Sequence, residues 1–418
     1  MAPSNMDAAD YLAASHDWGV TVHPSVTIRL LDGDDERGVF CRTDSSVPIN
    51  SAIFSLSFES IMTVAYVPES VLHREVLTAV QATTLREDDL LALLLLHERR
   101  LGTASKWAKH IMVLPRTYTS IPNFSAVQLE LIRGSNLYSL GSAWQQQLRN
   151  DFDELQAVPL HGHKFTTLGE ACAGWLTYET YLWALSTVFS RFITLTTAAH
   201  GQLRGMVPVV DMLNHAPTSQ VGHTYSDVDG MFRVITQQPW APGEEICLNY
   251  GHVSNARLLM LYGFALPNNP YASIEVYASM SPSAPQVKQD ALARMGISTA
   301  TPFEVTATAL PATLLAFLRV QHARDDESTS VTALAMAAAR PLSAETERAA
   351  CEALRTALEA MRDAYPDTAE DDERLLLLGQ GALGTVERAA VVFRLSEKRV
   401  LQSALRLLDD HVRTSCTK

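Results

Sequence analysis

Cysteine is scarce and scattered. The five residues, Cys41, Cys172, Cys247, Cys351 and Cys416, are odd in number and never form a C-x-x-C pair, so neither a structural zinc nor a disulfide framework is expected. Long apolar runs are missing too. The longest, Leu90 to Leu96, is far below a membrane span, and Met1 to Asp10 holds no basic run followed by an apolar stretch. The expectation is an intracellular chain of the cytoplasm or nucleus, acting without a membrane. Positive charge is in deficit: 33 Lys and Arg face 46 Asp and Glu, a formal net charge of −13. An excess of carboxylates repels nucleic-acid phosphates and attracts basic polypeptides. A nucleic-acid partner is therefore not expected, and a basic protein partner is, although the same charge also serves solubility alone. Internal repeats and extended low-complexity segments are absent, and the short acidic run Glu370 to Glu373 reads as a solvated loop.

What is present is enough apolar chain for a sizeable core. With 418 residues, 47% hydrophobic and 19% charged, two or three domains are expected. Short β-rich runs broken by turn residues fill the first segment: Val20 to Val22, Val26 to Leu31, Gly38 to Cys41 and Ile53 to Leu56. From Val71 to about Thr180 the period becomes helical. There Asp88 and Asp89 open a helix, Leu90 to Leu96 form its buried body, and Glu98, Arg99 and Arg100 close it. Strand character returns at Met206 to Val210, Met231 to Thr236 and Glu245 to Tyr250, the last entered through the Pro242-Gly243 turn. Beyond Ser281 the spacing is helical, with Leu310 to Ala323, Ser343 to Ala364 and Thr385 to Asp409 as the main segments.

Three clusters stand in a fixed order: Ser190-Arg191, then Asp211-Met-Leu-Asn214-His215, then Asn249-Tyr250-Gly251 with Tyr262-Gly263-Phe264 following. Each alone reads as an ordinary turn or strand end. Together, at these spacings, the sequence resembles the SET-domain family, in the branch with a helical insertion and a helical C-terminal domain that includes the RuBisCO large-subunit methyltransferase and fungal ribosomal-protein methyltransferases. The resemblance begins at Glu36-Arg37-Gly38-Val39-Phe40, which is similar to the family's G-x-G-[LV] turn. It runs through Ser105-Lys-Trp107 to Leu114-Pro115 and Trp183-Ala184-Leu185, and ends in a tail, Arg388 to Lys398, similar to the pattern R-x-A-x-x-[FY]-R-x-x-E-K.

The resemblance implies an α+β fold: small SET-type β-sheets with a pseudoknot, interrupted by a helical insertion and followed by an all-α C-terminal domain. The expected segments are 16–67 and 181–277 for the two parts of the SET core, 68–180 for the insertion and 278–418 for a helical substrate-binding-like domain. It also implies S-adenosylmethionine as cofactor and methyl transfer to a protein lysine, on a ribosomal or translation-factor type of substrate, by a monomer. Asn214 and His215 would hold the cofactor's adenine and amino group, Tyr262 would pack on it, and Asp35 and Arg37 would lie near its amino-acid end. The first glycine of the turn is Glu36 here, a departure where backbone must approach a ligand closely. Tyr250 would orient amine and methyl in line; with a reference pKa of about 10 it is not a strong base. Ser190, Arg191 and Asp211 would line the substrate channel, although a buried Arg-Asp pair can equally be structural. Ile193 lies where a histidine-methylating relative has a polar residue, and an apolar wall there favours lysine.

The rival readings are a protein histidine methyltransferase and a catalytically silent SET-fold interaction module, to which Glu36 points. The run Gly379-Gln-Gly381-Ala-Leu-Gly384 imitates a dinucleotide-binding fingerprint. Only 34 residues follow it, too few for the further strand and helix units such a fold requires. His161-Gly-His163 lacks a Cys or carboxylate at ligand spacing and reads as an exposed loop. No metal is expected.

Overall fold

A computed structural model describes residues 8–31, 37–79, 85–298, 302–328, 330–378 and 381–415. Asp35 and Glu36 lie outside them. The chain forms two compact units, Met1–Asn123 with Ala143–His252, and Phe124–Ser142 with Val253–Lys418.

The first unit is built from three small sheets, with every pair of adjacent strands antiparallel. One has the order Thr21–Val22, Ala52–Ser57, Met231–Thr236, Val221–Ser226. The second has Glu245–Ile246, Arg37–Cys41, Val26–Leu30, and the third Met62–Thr63, Gly201–Met206, Phe192–Thr197. Alternation explains which faces are buried: in Met231–Thr236 the residues Phe232, Val234 and Thr236 are buried while Met231, Arg233 and Ile235 are half-buried. The sheets close on one apolar cluster that includes Val39, Phe54, Ile193, Val209, Val210 and Leu213.

The strand expected over Met206 to Val210 is displaced. It runs Gly201–Met206 and stops there, because Pro208 has no N–H to donate and Val209 takes φ 73°, ψ −42°. The chain turns at that residue into the short 3-10 helix Val210–Met212. The run Glu245 to Tyr250 likewise keeps only Glu245–Ile246 as a strand. Beyond it Leu248 forms a parallel bridge with His215, through Leu248 N–H to Asn214 O at 2.8 Å and Ala216 N–H to Leu248 O at 3.2 Å. The two loops thus run side by side in parallel at this point.

Helices fill the interruption. Glu87–Leu101 carries three acids in its first turn and two arginines in its last, each favourable to the helix dipole. Leu91 to Leu95 are fully buried in a second apolar cluster with Trp107, Phe152, Tyr181 and Leu185. Tyr178–Arg191 is started by a capping box between Thr177 and Thr180.

The second unit is mainly helical, with Ala312–His322, Ala344–Asp363 and the 31-residue Thr385–Ser415 among its helices. It is not purely helical past residue 278, because Phe303–Thr306 pairs antiparallel with Ser273–Val276. The segment Arg388 to Lys398 lies on the long helix and forms a buried clamp. Arg394 donates to Leu131 O at 2.8 Å and pairs with Asp372, Lys398 binds Asp372 Oδ2 at 2.6 Å, and Glu397 accepts from the Tyr365 hydroxyl. Before the glycine run near residue 380 stands a helix, Ala369–Leu377, not the strand a dinucleotide fingerprint needs. No helix among the described residues is long and apolar enough to cross a membrane.

Candidate functional site

The parallel bridge between these loops gathers the central residues. Tyr250 is half-buried, and its hydroxyl donates to Leu213 O at 2.8 Å. Its backbone N–H donates to His215 Nδ1 at 3.2 Å, and the two rings stack with centroids 4.8 Å apart and planes 26° apart. An Nδ1 that accepts carries no proton, so the 3.4 Å approach of Leu248 O to the same nitrogen is a contact and not a hydrogen bond. Burial pushes the His215 imidazole below its usual value, which keeps it neutral at pH 7.

Asn214 reaches from this bridge to the opposing sheet, donating to Glu245 Oε1 at 2.7 Å and to Arg37 O at 3.3 Å. Arg37 is buried at the start of its strand and its guanidinium donates to Val113 O at 2.9 Å. Gly38 follows, and a Cβ there would come 2.7 Å from Glu245 Oε1 and 2.9 Å from the Phe40 ring. An added methyl group would have to displace the Glu245 carboxylate and the Phe40 ring, both side chains beside Asn214.

On the other side of Tyr250 lies a buried charged pair. Asp211 has no exposed side-chain surface and faces Arg191 Nη1 at 3.4 Å, while the same Nη1 donates to Asp211 O at 2.9 Å. Burial opposes the Arg191 charge, but Asp211, Tyr118 and Tyr250 together hold it on, so its pKa is raised. Tyr118, whose hydroxyl donates to Thr187 Oγ1 at 2.8 Å, is pushed up by burial and stays a neutral phenol. Ser190 stands one residue before Arg191, but its hydroxyl donates to Ser186 O at 2.7 Å and is engaged by its own helix.

Among the described site residues anticipated from sequence, the first unit therefore brings together Arg37, Ser190, Arg191, Asp211, Asn214, His215 and Tyr250. Tyr262 belongs to the second unit, as the last residue of the helix Asn255–Tyr262, closed by Gly263 at φ 83°. Its ring lies 6.1 Å from that of Phe264, and burial pushes its phenol up. Sequence reasoning missed Tyr11, His110 and Tyr118. Tyr11 and His110 are buried and Tyr118 is half-buried, and none carries a local spacing signal, although His110 falls within the Ser105 to Pro115 stretch.

Two metal candidates resolve differently. His163 is occupied, its Nε2 3.1 Å from Glu75 O and its Nδ1 accepting from Phe165 N–H at 3.2 Å. Glu347, Cys351 and His411 of the second unit have ligand atoms within 4.8 Å of one another. There the Arg319 guanidinium already binds both Glu347 oxygens, at 2.6 and 2.8 Å, which neutralises the carboxylate.

Residues 281–401 match the model of the Rubisco LSMT substrate-binding family. Over 323 residues the chain is 26% identical to the actin-histidine N-methyltransferase of Mus musculus, covering 73% of this chain and 53% of that protein. Over 196 residues it is 27% identical to the ribosomal lysine N-methyltransferase set10 of Schizosaccharomyces pombe, covering 46% of this chain and 34% of that protein. The chain thus spans about half the length, or less, of these curated relatives. Two solved structures share the fold over nearly all of it. The structure of Rubisco LSMT bound to AdoMet superposes with a TM-score of 0.81 at 21% identity, covering 98% of this chain and 93% of the other. The SET domain of LSMT bound to lysine and AdoHcy gives 0.80 at 20%, covering 96% and 91%.

Proposed function

We propose that this chain, which has the SET-methyltransferase fold and a Rubisco LSMT substrate-binding match at 281–401, moves a methyl group from S-adenosylmethionine to a protein side-chain nitrogen, with lysine as acceptor. One observation carries the reading: the bridge between Asn214-His215 and Leu248 fixes the Tyr250 hydroxyl on Leu213 O at 2.8 Å, within the field of Arg191. Arg37, Asn214 and His215 would hold the cofactor; Asp35 and Tyr262 are proposed for it by the resemblance alone. The residues suit it. Gly38 carries no side chain beside the Asn214–Glu245 contact, where an added Cβ would push on the Glu245 carboxylate, and a neutral His215 does not repel a cationic ligand. When bound, S-adenosylmethionine supplies an electrophilic methyl group on a sulfonium.

The protein's own part is alignment and charge. With the Tyr250 proton donated to Leu213 O, the phenol oxygen would accept an N–H from the acceptor amine and aim its lone pair. Holding such a geometry supplies several kcal/mol, on the order of 7–11 for well-oriented partners. A lysine amine, with a reference pKa of about 10.4, attacks only when neutral. Burial and the positive Arg191 both push that value down, so a histidine base is not needed. Ser190, Arg191 and Asp211 would form the acceptor side. The excess of acidic residues suits a basic protein substrate, and the expected cytoplasmic or nuclear setting is part of the same proposal.

Lysine is favoured by Ile193, an apolar residue only 8% exposed. A neutral imidazole attacking through one nitrogen keeps an N–H on the other that needs an acceptor, and an isoleucine offers none. A histidine acceptor is the second reading, favoured by the similarity to the actin-histidine N-methyltransferases. The test is transfer of labelled methyl groups from S-adenosylmethionine to proteins of a cell extract, with the labelled residue identified by mass spectrometry. A discrete band labelled on lysine, falling at least about tenfold with Tyr250→Phe, is the expected result. Label on histidine selects the second reading. Cofactor binding without transfer would instead favour the silent interaction module.

A further inference from the structure

Beneath the charged pair of the site run two linked hydrogen bonds that begin far away in the sequence. Tyr11, on the helix Ala8–Ser15, is fully buried, and its hydroxyl accepts from Val209 N–H at 3.1 Å. The same hydroxyl is 2.8 Å from His110 Nδ1. Burial, reinforced by Asp211, raises the Tyr11 pKa well above its usual value, so it is a neutral phenol with one proton to give. With Val209 N–H already using the oxygen as acceptor, that proton goes to His110 Nδ1. The imidazole therefore carries its own hydrogen on Nε2, which lies 3.4 Å from Asp211 Oδ2 without hydrogen-bond geometry and acts on that carboxylate through its dipole.

His110 is fully buried, and the ionisable groups around it are Tyr11, Asp211 and Arg191, with Arg37 acting on Tyr11. Burial pushes its pKa down against the pull of Asp211, so the ring is neutral near pH 7 and leaves the full charge of Asp211 to Arg191. The other end of this linkage holds strain. Val209 is β-branched at φ 73°, a conformation costing on the order of 1–3 kcal/mol that persists only where the surroundings over-determine it. Tyr11 pins that residue two positions before Asp211 and four before Leu213, whose carbonyl holds the Tyr250 hydroxyl.

We infer that Tyr11 and His110 are positioning residues for methyl transfer: together they fix a neutral, Nε2-protonated imidazole against Asp211, and so set Asp211, Arg191 and the Leu213 carbonyl that orients Tyr250. The inference rests on the transfer activity proposed above for its kinetic readout, and on hydrogen-bond geometry for its spectroscopic one. Neither residue touches the reacting atoms, so both act through others.

The test uses the full chain as wild type, Tyr11→Phe, His110→Phe and the double variant. Methyl-transfer kinetics, S-adenosylmethionine affinity and ¹⁵N-histidine NMR are measured on each variant. Each single substitution is expected to lower kcat about tenfold while cofactor affinity stays within about twofold. The double variant is expected to be no slower than the slower single, because linked groups are non-additive. The Tyr11→Phe spectrum should show His110 leaving the Nε2-protonated tautomer that dominates the wild type. Additive losses in kcat, or a cofactor affinity that falls in step with kcat, would overturn the inference and leave a purely structural role. If the wild type transfers no methyl group, the proposed function fails and takes the positioning role with it; the spectrum then decides the geometry alone, an unchanged His110 tautomer in Tyr11→Phe overturning the Tyr11–His110 bond and a changed one upholding that bond.

Discussion

Gly38 sits where a single methyl group decides whether two segments can meet. A Cβ at this position would lie 2.7 Å from the Glu245 oxygen that accepts from Asn214. Gly38→Ala should therefore push Glu245 away, release the Asn214 amide and weaken S-adenosylmethionine binding by about tenfold or more. Global stability should fall by only about 1–3 kcal/mol, as overpacking does. Calorimetric titration with the cofactor beside a urea melt separates the two, and unchanged affinity would contradict the cradle. At this scale the short, ordered clusters made it legible that Arg191 would meet Asp211 and that His215 would meet Tyr250, as the structure shows, while their roles toward a substrate are those proposed above. Tyr11 and His110 were not. Tyr11 is 99 residues from His110 and 198 from Val209, and no periodicity marks a partner that only folding brings near.

Among the elements, the long helix Thr385–Ser415 carries a titratable residue in its core-facing side. Burial pushes the Glu397 carboxyl up from 4.5 to about 7, against the lowering effect of the Tyr365 hydroxyl that donates to it. The folded chain thus holds a proton that the unfolded chain releases near 4.5, and the folded state binds more protons between those values. The associated stability is fully present below about pH 4.5 and is lost as pH rises through about 7. Glu397→Gln should keep the hydrogen bond without the charge, so the amides of this helix should exchange more slowly than wild type at pH 8 and alike at pH 5. Hydrogen exchange followed by mass spectrometry reads this; equal protection of both proteins at pH 8 would count against a protonated Glu397. The helix itself was readable from its period, as was Glu87–Leu101 from its charged ends. Strand limits were less so. Val207, Pro208, Val209 and Val210 have β-forming composition, yet a missing N–H and one strained φ end the strand at Met206. The strand Phe303–Thr306 was overlooked because four residues, although Phe303, Val305 and Thr306 are strand formers, are too few to stand out among helical segments until they pair with Ser273–Val276.

For the whole molecule, the net charge of −13 acts through a field and not through any one contact. A basic acceptor protein should feel that field over about a Debye length, which shrinks from roughly 10 Å at 0.1 M salt to roughly 3 Å at 1 M. KM for such an acceptor should rise several-fold over that range while KM for S-adenosylmethionine changes little. Steady-state kinetics at a series of salt concentrations tests this, and a flat acceptor KM would remove charge from the account of substrate choice.

The bond between Tyr11 and Val209 also sets a clock. At roughly 5–20 residues per second of synthesis, the 198 residues separating them take roughly 10–40 s to emerge. For that interval the nascent helix Ala8–Ser15 has made its phenol but not the amide it will serve. The Leu248 bridge comes 39 residues later than Val209, so the site is among the last features of the first unit to be completed. Anything that occupies the apolar face of the early helix during that wait competes directly with the formation of a working site.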